Sequence, residues 1–129
     1  MADLAAEMQQ RFKGLLPELM GVEFTDVTPE KVVARLAVRK DLCTIGDNLH
    51  GGAVMAFADT LGAVAAILNM PKGSRTTTIE SKTNFIRGAP IATRVEGEAV
   101  AVHKGRTTVV CQTTIRTEEG KLVALVTQT

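Results

Sequence analysis

Apolar and polar positions follow two different periods along this chain, and the switches between them mark out its elements. In residues 2–13, Leu4, Met8 and Phe12 recur at helical spacing, and Gly14 supplies a stop. Residues 15–21 read as a loop or a short turn of helix around Pro17, so residues 1–20 make an N-terminal helical segment. Residues 22–26 suggest a first strand. Residues 31–40 alternate clearly: Val32, Ala34, Leu36 and Val38 face one way, Lys31, Arg35 and Arg39 the other. A loop rich in small polar residues covers 41–49.

The period then changes. Residues 52–69 predict the one long helix, with Phe57, Leu61, Val64, Ala65 and Leu68 as a bulky stripe. A second stripe, Gly52, Met55, Ala56, Asp59, Gly62, Ala63 and Ala66, is small apart from the Met and the acid, which lets a backbone or a slender ligand come close. Pro71-Lys72-Gly73 ends the helix. Residues 75–87 return to period two and are broken by Gly88-Ala89-Pro90. Strands over 91–103 and 106–117 are joined by Lys104-Gly105, a tight hairpin signal. A turn at 118–120 leads into a last strand, 121–127. Two strands, a long helix and four strands in meander predict an α+β fold, one antiparallel sheet wrapped around one central helix, in a single domain spanning 1–129.

Composition narrows what such a domain does. The chain has 129 residues, 45% hydrophobic and 22% charged, as expected of a folded globular protein. A net charge of +1 and 3% aromatic residues, with no Trp or Tyr, argue against a nucleic-acid partner. Cys43 and Cys111 are too few and too far apart for a metal or disulfide framework, and suit a reducing, cytoplasmic setting. Residues 49–70 are long and apolar enough to raise the question of a membrane span. Asp59 at the centre, His50 near the start and several glycines argue for a buried helix instead, and against a membrane partner.

The candidate chemistry lies on that helix. Between Asn48 and Pro71 the only formal charge is Asp59, nine residues after His50 in His50-Gly51-Gly52. An acid among apolar residues is costly to desolvate without partners, which favours a functional reading; a structural carboxylate is the bland one. Gly51 and Gly52 leave backbone N–H groups bare at a helix start, where oxyanions bind. Together they suit acyl transfer: an acid to activate water or to attack, and amides to take the charge on the carbonyl oxygen. That requires the acid to be buried, with its basicity raised, and both groups to converge on one carbonyl at the mouth of the helix.

The residue set 48–54, Ala58-Asp59-Thr60, Thr78-Ile79-Glu80, Asn84-Phe85-Ile86-Arg87-Gly88-Ala89, Gly105-Arg106 and Leu122-Val123-Ala124 resembles the hotdog-fold thioesterases, in their PaaI-like (phenylacetate-type) branch. The resemblance covers nearly everything after Leu15. It implies an acyl-coenzyme A thioesterase with Asp59 as general base or nucleophile and the Gly51 or Gly52 amide polarising the thioester carbonyl. It implies that His50 holds the turn, and that Thr78, often from a neighbouring subunit in that family, orients the water. Many members have Asn six residues before the His. Here Thr44 stands there, with Asn48 or Asp47 as possible substitutes. Arg87 with His103, Lys104, Gly105 and Arg106 is a candidate cradle for the phosphates of coenzyme A. Coenzyme A is then part of the substrate, and neither a cofactor nor a metal is expected.

Each residue also has a plainer reading: His50 as a packed or capping histidine, Gly51-Gly52 as a tight helix start, Thr78 as a β-former, 103–106 as a solvated hairpin tip. Cys111 reads as core. An enoyl-thioester hydratase on the same fold is the alternative enzyme, and an acyl-coenzyme A-binding regulatory domain the non-catalytic one. The sheet would keep an edge and a broad face uncovered, and the resemblance implies a homodimer with a continuous sheet and active sites between subunits, commonly paired into a homotetramer.

Overall fold

The computed structural model describes residues 3–129. Helix α1 (Leu4–Arg11) starts where the Asp3 carboxylate accepts the Ala6 N–H at 3.1 Å; Ala2, included in the expected helix, lies outside the described residues. Helix α2 (Leu16–Met20) carries Pro17 in its first turn, a position where the missing N–H costs nothing, and ends on Gly21 in the left-handed region (φ 86°).

Six strands follow in one antiparallel sheet: β1 (Glu23–Val27), β2 (Val32–Ala37), β3 (Ser81–Phe85), β4 (Arg94–Lys104), β5 (Val109–Thr117) and β6 (Leu122–Gln128). Their spatial order is β1-β2-β4-β5-β6-β3. The expected four-strand meander is therefore wrong in one place. Strands β4, β5 and β6 do run as a meander, but β3 pairs with β6 and β4 with β2. Period-two alternation shows that a segment is a strand; it does not say beside which neighbour.

The chain passes from the β3 edge to β4 across the start of the central helix. The crossing is pinned by Leu49 N–H to Ala89 O (2.8 Å), Ile91 N–H to Asp47 O (2.8 Å) and a bridge between Asn48 and Pro90. Two other expectations shift. Only Ser81–Phe85 of residues 75–87 forms a ladder. The β4–β5 turn is four residues rather than two, closed by Gly105 N–H to Thr108 O at 2.7 Å.

The long helix α3 spans Gly51–Ile67 and packs against β2, β4, β5 and β6. Its bulky stripe is the core as expected: Phe57, Leu61 and Val64 are wholly buried and Ala65 nearly so. Gly97 on β4 allows this, since a Cβ there would lie 2.8 Å from Leu61 and 3.0 Å from Phe57. The small stripe looks the other way, toward the open side of the helix, where Gly52, Met55 and Asp59 are exposed. Among the described residues no helix is long and apolar enough to cross a membrane.

Candidate active site

His50 makes the start of α3. Its Nδ1 accepts the Gly52 N–H at 2.7 Å, which requires the neutral ring with its proton on Nε2. The ring is exposed and serves as the helix cap. The cap also separates the two amides: Gly52 N–H is taken by His50, whereas Gly51 N–H has no hydrogen-bond partner among the described residues. Replacing His50 by Ala is expected to cost about 1 kcal/mol, the usual loss for a deleted cap. This would show as a fall of about 4 °C in Tm and faster exchange of the first amides of α3.

Asp59 lies further along the helix. Its Oδ1 accepts two hydrogen bonds, from Thr78 Oγ1 at 3.1 Å and from Gln128 Nε2 at 2.7 Å. Gln128 Nε2 also donates to Thr78 Oγ1 at 3.0 Å, so the three side chains close a ring. Asp59 Oδ2 has no partner among the described residues. Of the three consecutive threonines 76–78, it is Thr78 that touches the acid, and it does so within its own chain. Beside the ring lies a recess of about 150 Å³, walled by Gly62, Ala63 and Ala66 of α3 and by Thr77, Thr108 and Cys111. Cys111 is buried, and burial pushes its thiol above the ordinary range, as befits a core residue.

Two expectations about Asp59 fail in the single chain. The carboxylate is exposed, not buried: apolar neighbours in sequence put it on an amphipathic helix, but it sits on the open stripe. Nor do Asp59 and Gly51 converge. Eight residues at about 1.5 Å each separate them by about 12 Å along the axis, whereas a carbonyl carbon and its oxygen are only about 1.2 Å apart.

The expected phosphate cradle is divided in the same way. Arg87 is at the helix mouth, its N–H bonded to Val123 O. His103, Lys104, Gly105 and Arg106 form the exposed tip at the other end of the sheet. Following β5 from Val109 to Arg116, the two ends are about 23 Å apart. The residues that could replace the family's Asn are occupied. Asp47 is held by Lys40 Nζ at 2.6 Å, and the Asn48 side chain lies against Gly88 and the Gly46 carbonyl. Thr44 is exposed and turns the loop through its N–H to Asn48 O (2.8 Å). No group of three or more His, Cys, Asp or Glu side chains that could hold a metal occurs among the described residues.

Gln128 was missed in the sequence. The expected last strand stops at Thr127, one residue short, yet Gln128 continues the inward series Ala124, Val126. A polar residue on a buried face was the available signal.

A family model, described as the thioesterase superfamily, matches residues 46–124. The chain belongs to the thioesterase superfamily. A Vibrio cholerae protein carrying a provisional esterase name is 33% identical over 113 residues, 88% of this chain and 75% of that protein. The PaaI protein of the E. coli phenylacetic acid degradation operon has the same fold, with a TM-score of 0.85 over 98% of this chain and 93% of that one, at 20% identity. A Streptococcus pneumoniae thioesterase-like protein, solved with coenzyme A, has a TM-score of 0.77 over 84% of this chain and 82% of that one, at 24% identity. The hotdog fold and thioester hydrolysis are thus those of this superfamily member. The family match takes in Gly51, Asp59, Thr78 and Arg87 and ends before Gln128.

Proposed function

We propose that this thioesterase-superfamily protein hydrolyses an acyl-coenzyme A thioester to a carboxylic acid and free coenzyme A, at a site built from two copies of the chain. One copy brings the mouth: Gly51 N–H, the cap His50, and Arg87. The other brings Asp59, Thr78, the recess and the hairpin tip. The observation that carries this is the carboxylate of Asp59: one oxygen is held by Thr78 and Gln128, which themselves line the recess of small residues, while the other oxygen has no partner among the described residues.

Shape supports the pairing. Strand β3 is a sheet edge with an unpaired row of backbone groups, flanked by exposed Ile79, Phe85, Ile86 and Met55. Two β3 edges paired antiparallel about Thr83 set the Phe85 end of one copy against the Ser81 end of the other. The mouth of each helix then faces the acid of its partner. The same pairing sets Arg87 of one copy at the end of the other copy's sheet that carries Lys104 and Arg106. Coenzyme A bound to a protein of the same fold supports this choice of ligand.

In the base form of the reaction, Asp59 Oδ2 takes a proton as water oxygen bonds to the thioester carbon, and the carbonyl electron pair moves to oxygen beside Gly51 N–H. The pair then returns, the C–S bond breaks, and the thiolate leaves as free thiol with a proton. In the nucleophile form Oδ2 itself attacks, and water cleaves the resulting anhydride. The small residues that wall the recess, Gly62, Ala63 and Ala66, support a slender acyl group, short aliphatic or aryl.

The test is thiol release across an acyl-coenzyme A panel, with the matching pantetheine thioesters alongside. Release of coenzyme A from short and aryl substrates, with a higher KM for the pantetheine forms, is expected. Absence of release from every member would remove the hydrolase reading. Loss of enoyl absorbance without thiol release would replace it with hydration.

A further inference from the structure

The acid needs a holder, and the structure supplies one that the family motif does not contain. Gln128 is 5% exposed, at the end of β6, with its amide wedged between α3 and the segment carrying Thr78. A buried amide is retained where its bonds matter, because such a group is expensive to desolvate. Here the Nε2 hydrogens go to Asp59 Oδ1 and Thr78 Oγ1, with a longer contact of 3.5 Å to Asp59 O. The Oε1 end is buried and has no partner among the described residues. So half of this amide is left unsatisfied while the other half is fully engaged with the acid.

The directions of the bonds decide what the ring does. Thr78 accepts from Gln128, which turns its own hydroxyl proton toward Asp59 Oδ1. Two donors on one oxygen fix the carboxylate rotation on a residue that is otherwise exposed and free to turn. Oδ2 is then the oxygen presented to substrate.

The helix has been cut to fit this amide. A Cβ at position 62 would collide with Gln128 Oε1 and lie 2.8 Å from its Cδ, so only glycine leaves the amide in place. We infer that Gln128 is a positioning residue for the hydrolysis, that it acts through Asp59 and Thr78, and that Gly62 is the space it requires. This rests on the function proposed above and extends it to a residue beyond the family match.

Three substitutions test it, each assayed for thiol release with the best substrate of the panel. Gln128→Leu keeps the bulk but removes the donors. It is expected to lower kcat by about twentyfold or more while KM stays within about threefold, because leucine keeps the bulk that Gln128 adds to the recess wall and only the acid is released. Gly62→Ala keeps Gln128 but displaces its amide, and is expected to reproduce the loss. In an Asp59→Ala background, Gln128→Leu is expected to change the residual rate less than about twofold, since the group it positions is gone. A merely structural role would instead lower both backgrounds equally.

The outcomes separate cleanly. If Gln128→Leu retains wild-type kcat while Asp59→Asn loses it, the acid acts unaided; the inference falls and the proposed function stands. Equal losses in the two backgrounds would also overturn it. If Asp59→Asn turns over as fast as wild type, or wild type releases no thiol, the functional reading fails and takes the inference with it.

Discussion

Asp59→Asn is expected to lower kcat for thiol release about a thousandfold, with the thermal transition essentially unmoved. The rate estimate follows from removing the group that takes the proton or attacks, which is worth about two to four orders of magnitude. Stability is spared because the side-chain oxygen of Asn still accepts from both Thr78 and Gln128, and the site is exposed in the single chain. Asp59→Ala should differ in the second respect. It leaves one of the two Gln128 amide hydrogens without its carboxylate acceptor, the other still bonded to Thr78, at a cost of about 1–3 kcal/mol, so both rate and stability fall. Turnover at the wild-type rate in both variants would take Asp59 out of the chemistry.

Mixing two inactive variants should restore activity. Gly51→Pro removes the mouth amide with little harm to the helix, because proline suits the first helical position and His50 already has the extended backbone that precedes proline (φ −60°, ψ 137°). The neighbouring Phe85 ring, 3.3 Å from the new Cβ, has to yield by a few tenths of an ångström. Losing an oxyanion donor costs about 3 kcal/mol, or about a hundredfold in rate. Refolded together in equal amounts, Gly51→Pro and Asp59→Asn chains form mixed dimers that carry one intact site and one doubly defective site. Random pairing makes half of the dimers mixed, so about a quarter of wild-type activity is expected. A mixture no faster than its parents would mean that no site is shared between copies.

Much of this architecture was legible because it depends on local periodicity. The buried stripe Phe57, Leu61, Val64 and the alternation of Val32, Ala34, Leu36 are repeats that any folded context must bury. The position of β3 was not, because its partner β6 is settled by the path of the chain past the helix start. Asp59 shows a different failure. Its neighbours are apolar, but only the stripe on which a residue lies decides whether it is covered, and that stripe had already been read as small. The separation from Gly51 was also present in the numbering, since nine positions from His50 is more than two turns of helix. The hydrolase assignment does not depend on convergence of acid and amide at one mouth; the family match holds it, and the distance is what supports the proposed site between two copies.

The crossing strap in front of α3 has a consequence for how the molecule matures. Its pins join Leu49 to Ala89 and Asp47 to Ile91, positions about forty apart in sequence, whereas β4, β5 and β6 close by short turns. Contacts between distant segments wait on the loss of chain entropy that nearby ones avoid, so the meander condenses early and the strap docks late. A nascent chain therefore acquires its framework before the Gly51 amide of the proposed site is in place, and competence is the last property to emerge.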